Sequence, residues 1–229
     1  MDNFEKSLDI AAEIIENGGE VFRAEEAVRR INGRENCSAF VIPSLIIAQT
    51  GNRISVRRIL RRTINLSRLA KANYEARSLC GESSSRVAIP RYPAGYDYLA
   101  YFVSAGMLCL LFGGEKNDML IAGGVSLIIT CTEKRIDSIA LFSRNLIKAF
   151  IISSLAYLSA ETGISCQPDK IIIGSIMRLV PGIIAVNAAR DIMNSDLVAG
   201  IIELAEAVAS ALGIALGVSG GLLIFGEKI

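Results

Sequence analysis

"GSIMRLVPGIIAVNAARD", residues 174–191, sets helix breakers and charge inside a run otherwise apolar enough to lie in a bilayer. From Ile171 to Ala189 the sole charged residue is Arg178. A span over 171–189 has its centre at residue 180, which would put Pro181-Gly182 at mid-depth. Proline lacks an amide donor and crowds the carbonyl four residues earlier, at Met177, so the helix is expected to kink or break there. Backbone freed in hydrocarbon has to be satisfied by protein or by a water-filled cavity, an arrangement transporters use to hold substrates. Arg178 lies three residues before Pro181, roughly on the same side. A charge at that depth costs at least about 2.5 kcal/mol, which makes Arg178 a functional candidate able to clamp a carboxylate with two parallel hydrogen bonds. The plainer reading is a buried ion pair with Asp191, Glu203 or Glu206.

Outward from this stretch the chain divides in two. The sequence of 229 residues is 52% hydrophobic with mean hydropathy +0.44, high for a soluble protein. Residues 1–96 hold 15 of the 24 Lys and Arg and 11 of the 23 Asp and Glu, a net of +4, and the remainder is mostly apolar. Tyr98 to Gly114 carries no charge, and Tyr92, Tyr96, Tyr98 and Tyr101 crowd its beginning as an interfacial belt would. Further apolar runs cover 119–132, 146–160 with only Lys148, 171–189, and 207–226. These predict about five transmembrane helices, two of them short. An excess of Lys134, Arg135, Arg144, Lys148 and Arg190 on one set of turns, against Lys116 and Lys170 on the other, orients the N-terminus inward. Gly123, Gly124, Gly213, Gly217, Gly220 and Gly221 suit close helix packing in lipid. A soluble all-helical protein is the competing reading, favoured by the short runs.

The first residues, "MDNFEKSLDI", have no apolar core of a signal peptide, so the N-terminus is expected to remain uncleaved in the cytoplasm. Residues 4–32 read as two amphipathic helices split at Gly18-Gly19. In the second, Glu20/Arg23, Glu25/Arg29 and Glu26/Arg30 are three or four apart and share a side. "CSAFVIPSLIIAQT", then "GN", then "RISVRRILRR" predict a β-hairpin, with Pro43 marking an edge or bulge in its first strand. Arg53, Arg57, Arg58, Arg61 and Arg62 cluster there without aromatic residues to stack bases, which favours a solvated or lipid-facing stripe over RNA. Residues 65–79 return to helical spacing, and 81–93 form a linker with two prolines. The expected organisation is a cytoplasmic α+β domain over 1–92 and a helical membrane domain over 93–229. The fold class is thus an α-helical integral membrane protein.

Two stretches carry a family resemblance. "GGEVFRAEEAVRRI" is similar to a G-x-E-T-x-R-x-E motif, matched by Gly18, Glu20, Arg23 and Glu25, with Val21 at the position of the Thr. "LVPGIIAVNAARDIMNSDLVAG" is similar to an L-V-P-G followed by an N-x-x-R-D run, matched by Pro181, Gly182, Asn187, Arg190 and Asp191. The chain resembles the threonine/serine exporter family, in its N-terminal portion, which also forms the larger subunit of two-component succinate exporters. Arg178 departs from the proline common at its position. The resemblance implies a cytoplasmic domain followed by five spans in the inner membrane, and export of small amino acids or carboxylates on an ion gradient. It also implies a second, smaller membrane subunit as partner, while homo-oligomerisation stays open.

The candidate translocation residues are therefore Arg178, Pro181, Gly182, Asn187, Arg190 and Asp191, with Asp191, Glu203 and Glu206 as candidate proton carriers. Membrane lipid is an expected partner and nucleic acid is not, given a net charge of +1. There is no His, and Cys37, Cys80, Cys109, Cys131 and Cys166 form no CxxC pair, so packing thiols are expected rather than a metal or disulfide framework. No cofactor and no enzymatic activity are expected, since nucleophile, metal and phosphate-loop patterns are missing. The competing function is a membrane scaffold or sensor whose basic domain docks a partner or anionic lipid.

Overall fold

The structure is a computed structural model that describes residues 2–82, 92–93, 95–136, 139–162 and 166–226, with backbone alone at 134 and 135. Most of the 81–93 linker lies outside the described residues. The chain separates into two compact units, Met1–Pro90 with Gly182–Ala207 and Arg91–Pro181 with Val208–Ile229.

The first unit begins with α1 (Asn3–Glu16) and α2 (Val21–Ile31), folded together at Gly18-Gly19. Leu8, Ala11, Ile15 and then Val21, Ala24, Val28 recur every three or four residues, so each helix has one apolar stripe to bury. Those stripes meet in one core with Val41, Ile46, Ala72 and Ala199. Each large side chain buried there contributes about 1.5–3 kcal/mol relative to exposure. Gly18 has φ of +86°, the left-handed region that a side chain makes costly. A Cβ on Gly19 would come within 2.8 Å of the Ile14 carbonyl oxygen and of Leu69.

The expected hairpin is a three-stranded antiparallel meander: β1 (Cys37–Ile42), β2 (Leu45–Thr50) and β3 (Arg53–Arg58), in that order. Pro43 is neither edge nor bulge within one long strand. Ile42 pairs with Leu45, so Pro43-Ser44 is itself a tight turn that ends β1 and starts β2. A residue with fixed φ and no donor suits a turn better than a ladder position. The expected turn at Gly51-Asn52 joins β2 to β3, with Gly51 at φ +55°. Helix α3 (Leu66–Leu79) is capped by Asn65, whose side chain accepts from the Arg68 amide at 3.0 Å.

The second unit contains α4 (Tyr96–Leu111), α5 (Lys116–Ile136), α6 (Leu141–Glu161) and α7 (Pro168–Ile176), the last continued by a 3-10 turn over Met177–Leu179. Beyond it α8 (Gly182–Met193) belongs to the first unit. Helix α9 (Leu197–Phe225) starts in the first unit and ends in the second. Among the described residues α6 and α9 are long and apolar enough to cross a membrane, and α7 with α8 make a third if counted as one broken span. Helix α4 is shorter, and α5 carries Lys116 and Asp118 at one end and Glu133 at the other.

Small residues allow the close approaches here. A Cβ on Gly174 would lie 2.7 Å from the Ala105 carbonyl oxygen, and one on Gly213 would lie 2.7 Å from that of Phe142. Gly124, by contrast, faces open space. Buried Asp118 ties the loops, accepting from the amides of Glu115 at 2.7 Å and Gln167 at 2.8 Å. The five cysteines are free thiols.

Candidate functional site

The two motif stretches meet inside the first unit. The left-handed Gly18 turns the chain out of α1 and leaves its carbonyl pointing outward, where Asn187 of α8 donates to it through Nδ2 at 3.0 Å. Four residues on, and therefore on the same face of α8, Asp191 accepts from the Val21 and Phe22 amides, each at 3.2 Å. Glu20 precedes α2 but makes no capping hydrogen bond of its own. The N-terminus of α2 is thus capped by a fully buried carboxylate 170 residues away in sequence.

Glu20 is released for other partners. Arg23 Nε donates to it at 3.0 Å, and Arg190, one turn from Asn187 on α8, pairs with its second oxygen. Glu20 is nearly buried and both guanidinium side chains are about half exposed. Two cations on one carboxylate leave a surplus positive charge. That group borders a cavity of about 350 Å³ whose apolar walls are Leu66 and Leu69 of α3 and Ile183 and Val186 of α8, with Asn73, Asn187 and Gly182 completing it. A larger cleft of about 550 Å³ beside β1, bordered by Arg29 and Arg34, holds none of the motif residues. Glu25 faces elsewhere and pairs with Arg29 at 3.5 Å. Burial pushes its carboxyl above the ordinary glutamate range, and Asp196 adds to the shift against the pull of Arg29.

A second ionic group in this unit joins Arg62 to Glu203 and to Glu206, the latter at 2.8 Å. Glu203 is fully buried, and its Oε2 and the Arg62 Nε have no hydrogen-bond partner among the described residues. One cation between two carboxylates leaves a negative surplus, the opposite sign to the Glu20 group.

Arg178 lies in the other unit. Its guanidinium binds Glu133 and donates to Thr130 Oγ1 at 2.8 Å, with the Tyr101 ring centroid 3.7 Å away. Lys148, nearly buried on α6, reaches the same Glu133 oxygen at 3.5 Å.

The family model described as "Putative threonine/serine exporter" (ThrE) matches residues 7–225. The chain belongs to the threonine/serine exporter family. No curated protein and no solved structure matches it. The family is one of membrane transporters, and its model covers both motif stretches and all three ionic groups.

Of the expected site residues, Gly18, Glu20, Arg23, Gly182, Asn187 and Arg190 border one cavity. Asp191 stands behind it as the helix cap. Glu203 and Glu206 form the separate group on Arg62, and Arg178 the one on Glu133. Glu133, Thr130 and Asn73 were not among the expected site residues, and Tyr101 was expected only in an interfacial belt. Glu133 had a signal: it closes the apolar run 119–132, where an acid at the end of a span invites a cationic partner. Among the described residues no three His, Cys, Asp or Glu side chains are placed to hold a metal ion.

Proposed function

We propose that the chain is a subunit of a secondary transporter that exports small amino acids such as threonine or serine, or small carboxylates, across the cytoplasmic membrane. The observation that carries this reading is the convergence of both family motifs on a cavity of about 350 Å³ with one surplus positive charge. A substrate carboxylate would exchange onto the half-exposed guanidinium groups of Arg23 and Arg190 while an apolar side chain or methyl group meets Ile183 and Val186. For an amino acid, Glu20 supplies the complementary charge for the ammonium.

In this reading α4, α5, α6, the broken pair α7 and α8, and α9 are the five spans. Residues 1–92 lie on the cytoplasmic side, as the Lys and Arg distribution supports. The break at Pro181 and the Arg178–Glu133 pair mark a further point on the substrate's path. In the same reading Glu203 and Glu206, two acids sharing Arg62, carry the coupling proton, since both Asp191 oxygens accept from α2 amides. A second, smaller membrane protein completes the transporter.

The test is efflux of labelled threonine, serine and succinate from loaded cells expressing this chain with and without a small membrane partner. Efflux of one cargo is expected, lowered at least about tenfold by Arg190→Ala, the equivalent of one lost charge-assisted contact. Absence of efflux for all three, with both proteins confirmed in the membrane, refutes the reading.

A further inference from the structure

The meander has one face on the core and one face bare. Strand alternation turns Val41, Ile46 and Ala48 inward, and all three are fully buried. The same alternation sets Phe40, Ile47 and Val56 in one row across the opposite face, because Phe40 pairs with Ile47 and Ile47 with Val56. Ile54 and Arg58 flank that row on β3, and Leu60 continues the outward series after buried Ile59. Phe40 is 49% exposed, Val56 56%, Ile54 68% and Leu60 77%. An antiparallel sheet with one solvated face ordinarily turns polar residues to water, and contiguous apolar surface of this kind marks an interaction site.

The arginines beside it sort into two sets. Arg53 pairs with Asp2, Arg57 with Glu5 and Asp9, and Arg62 with Glu203 and Glu206. Arg58 and Arg61 are exposed and have no ion-pair partner among the described residues. No strand position on the outer face is acidic. A second copy docked face to face would therefore bring Arg58 against another cation across an apolar contact. An anionic bilayer surface satisfies both features at once: its headgroup boundary takes the apolar side chains and its phosphates take the guanidinium groups. The exporter family's own apolar helices, α6 and α9, hold the chain at a bilayer, so a contact too weak to recruit a free protein suffices.

We propose that the outer face of the β1–β3 sheet docks on the anionic surface of the membrane, with Phe40, Ile54, Val56 and Leu60 in the headgroup boundary and Arg58 and Arg61 on lipid phosphates. This inference stands apart from the transport reading and survives if the cargo is something else.

The chain contains no Trp, so Phe40→Trp gives a single tryptophan on the outer face, at its β1 edge. The full chain bearing it is reconstituted in vesicles of phosphatidylglycerol and phosphatidylcholine, and quenching by brominated lipid and by aqueous iodide is compared. Strong bromolipid quenching is expected in anionic vesicles. Arg58→Gln with Arg61→Gln should lower the ratio of docked to undocked protein about thirtyfold, the effect of two cations near an anionic surface. Val56→Trp repeats the measurement from the opposite edge strand, β3, should Phe40→Trp perturb folding. The proposal is overturned if iodide alone quenches the indole or if quenching is equal in purely neutral vesicles. Protection from both quenchers also overturns it, because a protein then covers the face.

Discussion

Replacing Asp191 tests whether that residue is a structural cap or a mobile carrier of charge. Asp191→Ala removes the carboxylate that accepts hydrogen bonds from the amides of Val21 and Phe22, each 3.2 Å long, the first buried and the second partly so. A hydrogen bond to a charged group contributes about 1.5–3 kcal/mol, and 3.2 Å is at the long end of the normal range, so the lower value applies to each. The expected loss is about 3 kcal/mol, above the ~1 kcal/mol typical of a solvated N-cap because the acceptor is a buried carboxylate and the Val21 amide is orphaned inside the core. Asp191→Asn keeps one acceptor oxygen but turns an NH2 group toward the second amide, and should lose about half as much. Native-state hydrogen exchange reads the effect at its source. In Asp191→Ala the Val21 and Phe22 amides should exchange on the order of a hundredfold faster, the factor equivalent to about 3 kcal/mol. Unchanged exchange at both amides in a folded Asp191→Ala chain would refute the cap and return Asp191 to the candidate proton carriers.

Gly19→Ala should be more damaging than Gly18→Ala. The first drives a methyl group into the Ile14 backbone and Leu69, whereas the second adds about 1–2 kcal/mol of left-handed strain with room for the Cβ; thermal unfolding orders the two. Glu133→Gln removes the carboxylate shared by Arg178 and Lys148. Breaking a fully buried pair costs about 3–5 kcal/mol, and the partial exposure of Glu133 and Arg178 lowers the expectation to about 2 kcal/mol, measured as a loss of unfolding free energy in detergent. Glu25 has its carboxyl raised by burial, so the folded state binds its proton more tightly than the unfolded chain does. Its contribution to stability is fully present below the ordinary glutamate range and is lost as pH rises through the raised value. Glu25→Gln should accordingly flatten the decline in unfolding free energy across that interval, and an unchanged pH profile would contradict the assigned direction.

Local features were legible wherever a periodicity or a backbone constraint fixed them. Apolar spacing located α1 and α2, the glycine pair located the turn between them, and i to i+4 spacing located the Glu25–Arg29 and Glu26–Arg30 pairs. The helix break before Pro181 followed from a missing amide, and Val180 is extended as the residue before proline is required to be. Partners distant in sequence were not legible. Spacing says that Asn187 and Asp191 share a face, but not that the face meets an α1–α2 turn some 170 residues earlier. Spacing says that Arg178 needs an acid, but three acids on the C-terminal side were equally plausible and the partner is Glu133 on α5. Pro43 was misplaced for a related reason. Continuous β-branched sequence on both sides looks like one strand until the register shows Ile42 opposite Leu45.

The register of the second motif has a geometric cause that unites it with the first. Asn187, Arg190 and Asp191 are three and four residues apart, the spacing that stacks side chains along one side of a helix. Their three targets, the Gly18 carbonyl, the Glu20 carboxylate and the Val21 and Phe22 amides, are consecutive features of one tight turn. An acceptor, an anion and a pair of donors are thus met in order by a donor, a cation and an acceptor. Such a match requires Gly18 for its backbone conformation and Glu20 and Arg190 for their charges, and it requires α8 to begin afresh after Pro181 instead of continuing α7. The compact-unit boundary falls between Pro181 and Gly182. The helix breaker inside the apolar run is therefore where the chain leaves one folded unit, so that the next helix can close the turn made by residues 18–22 of the other.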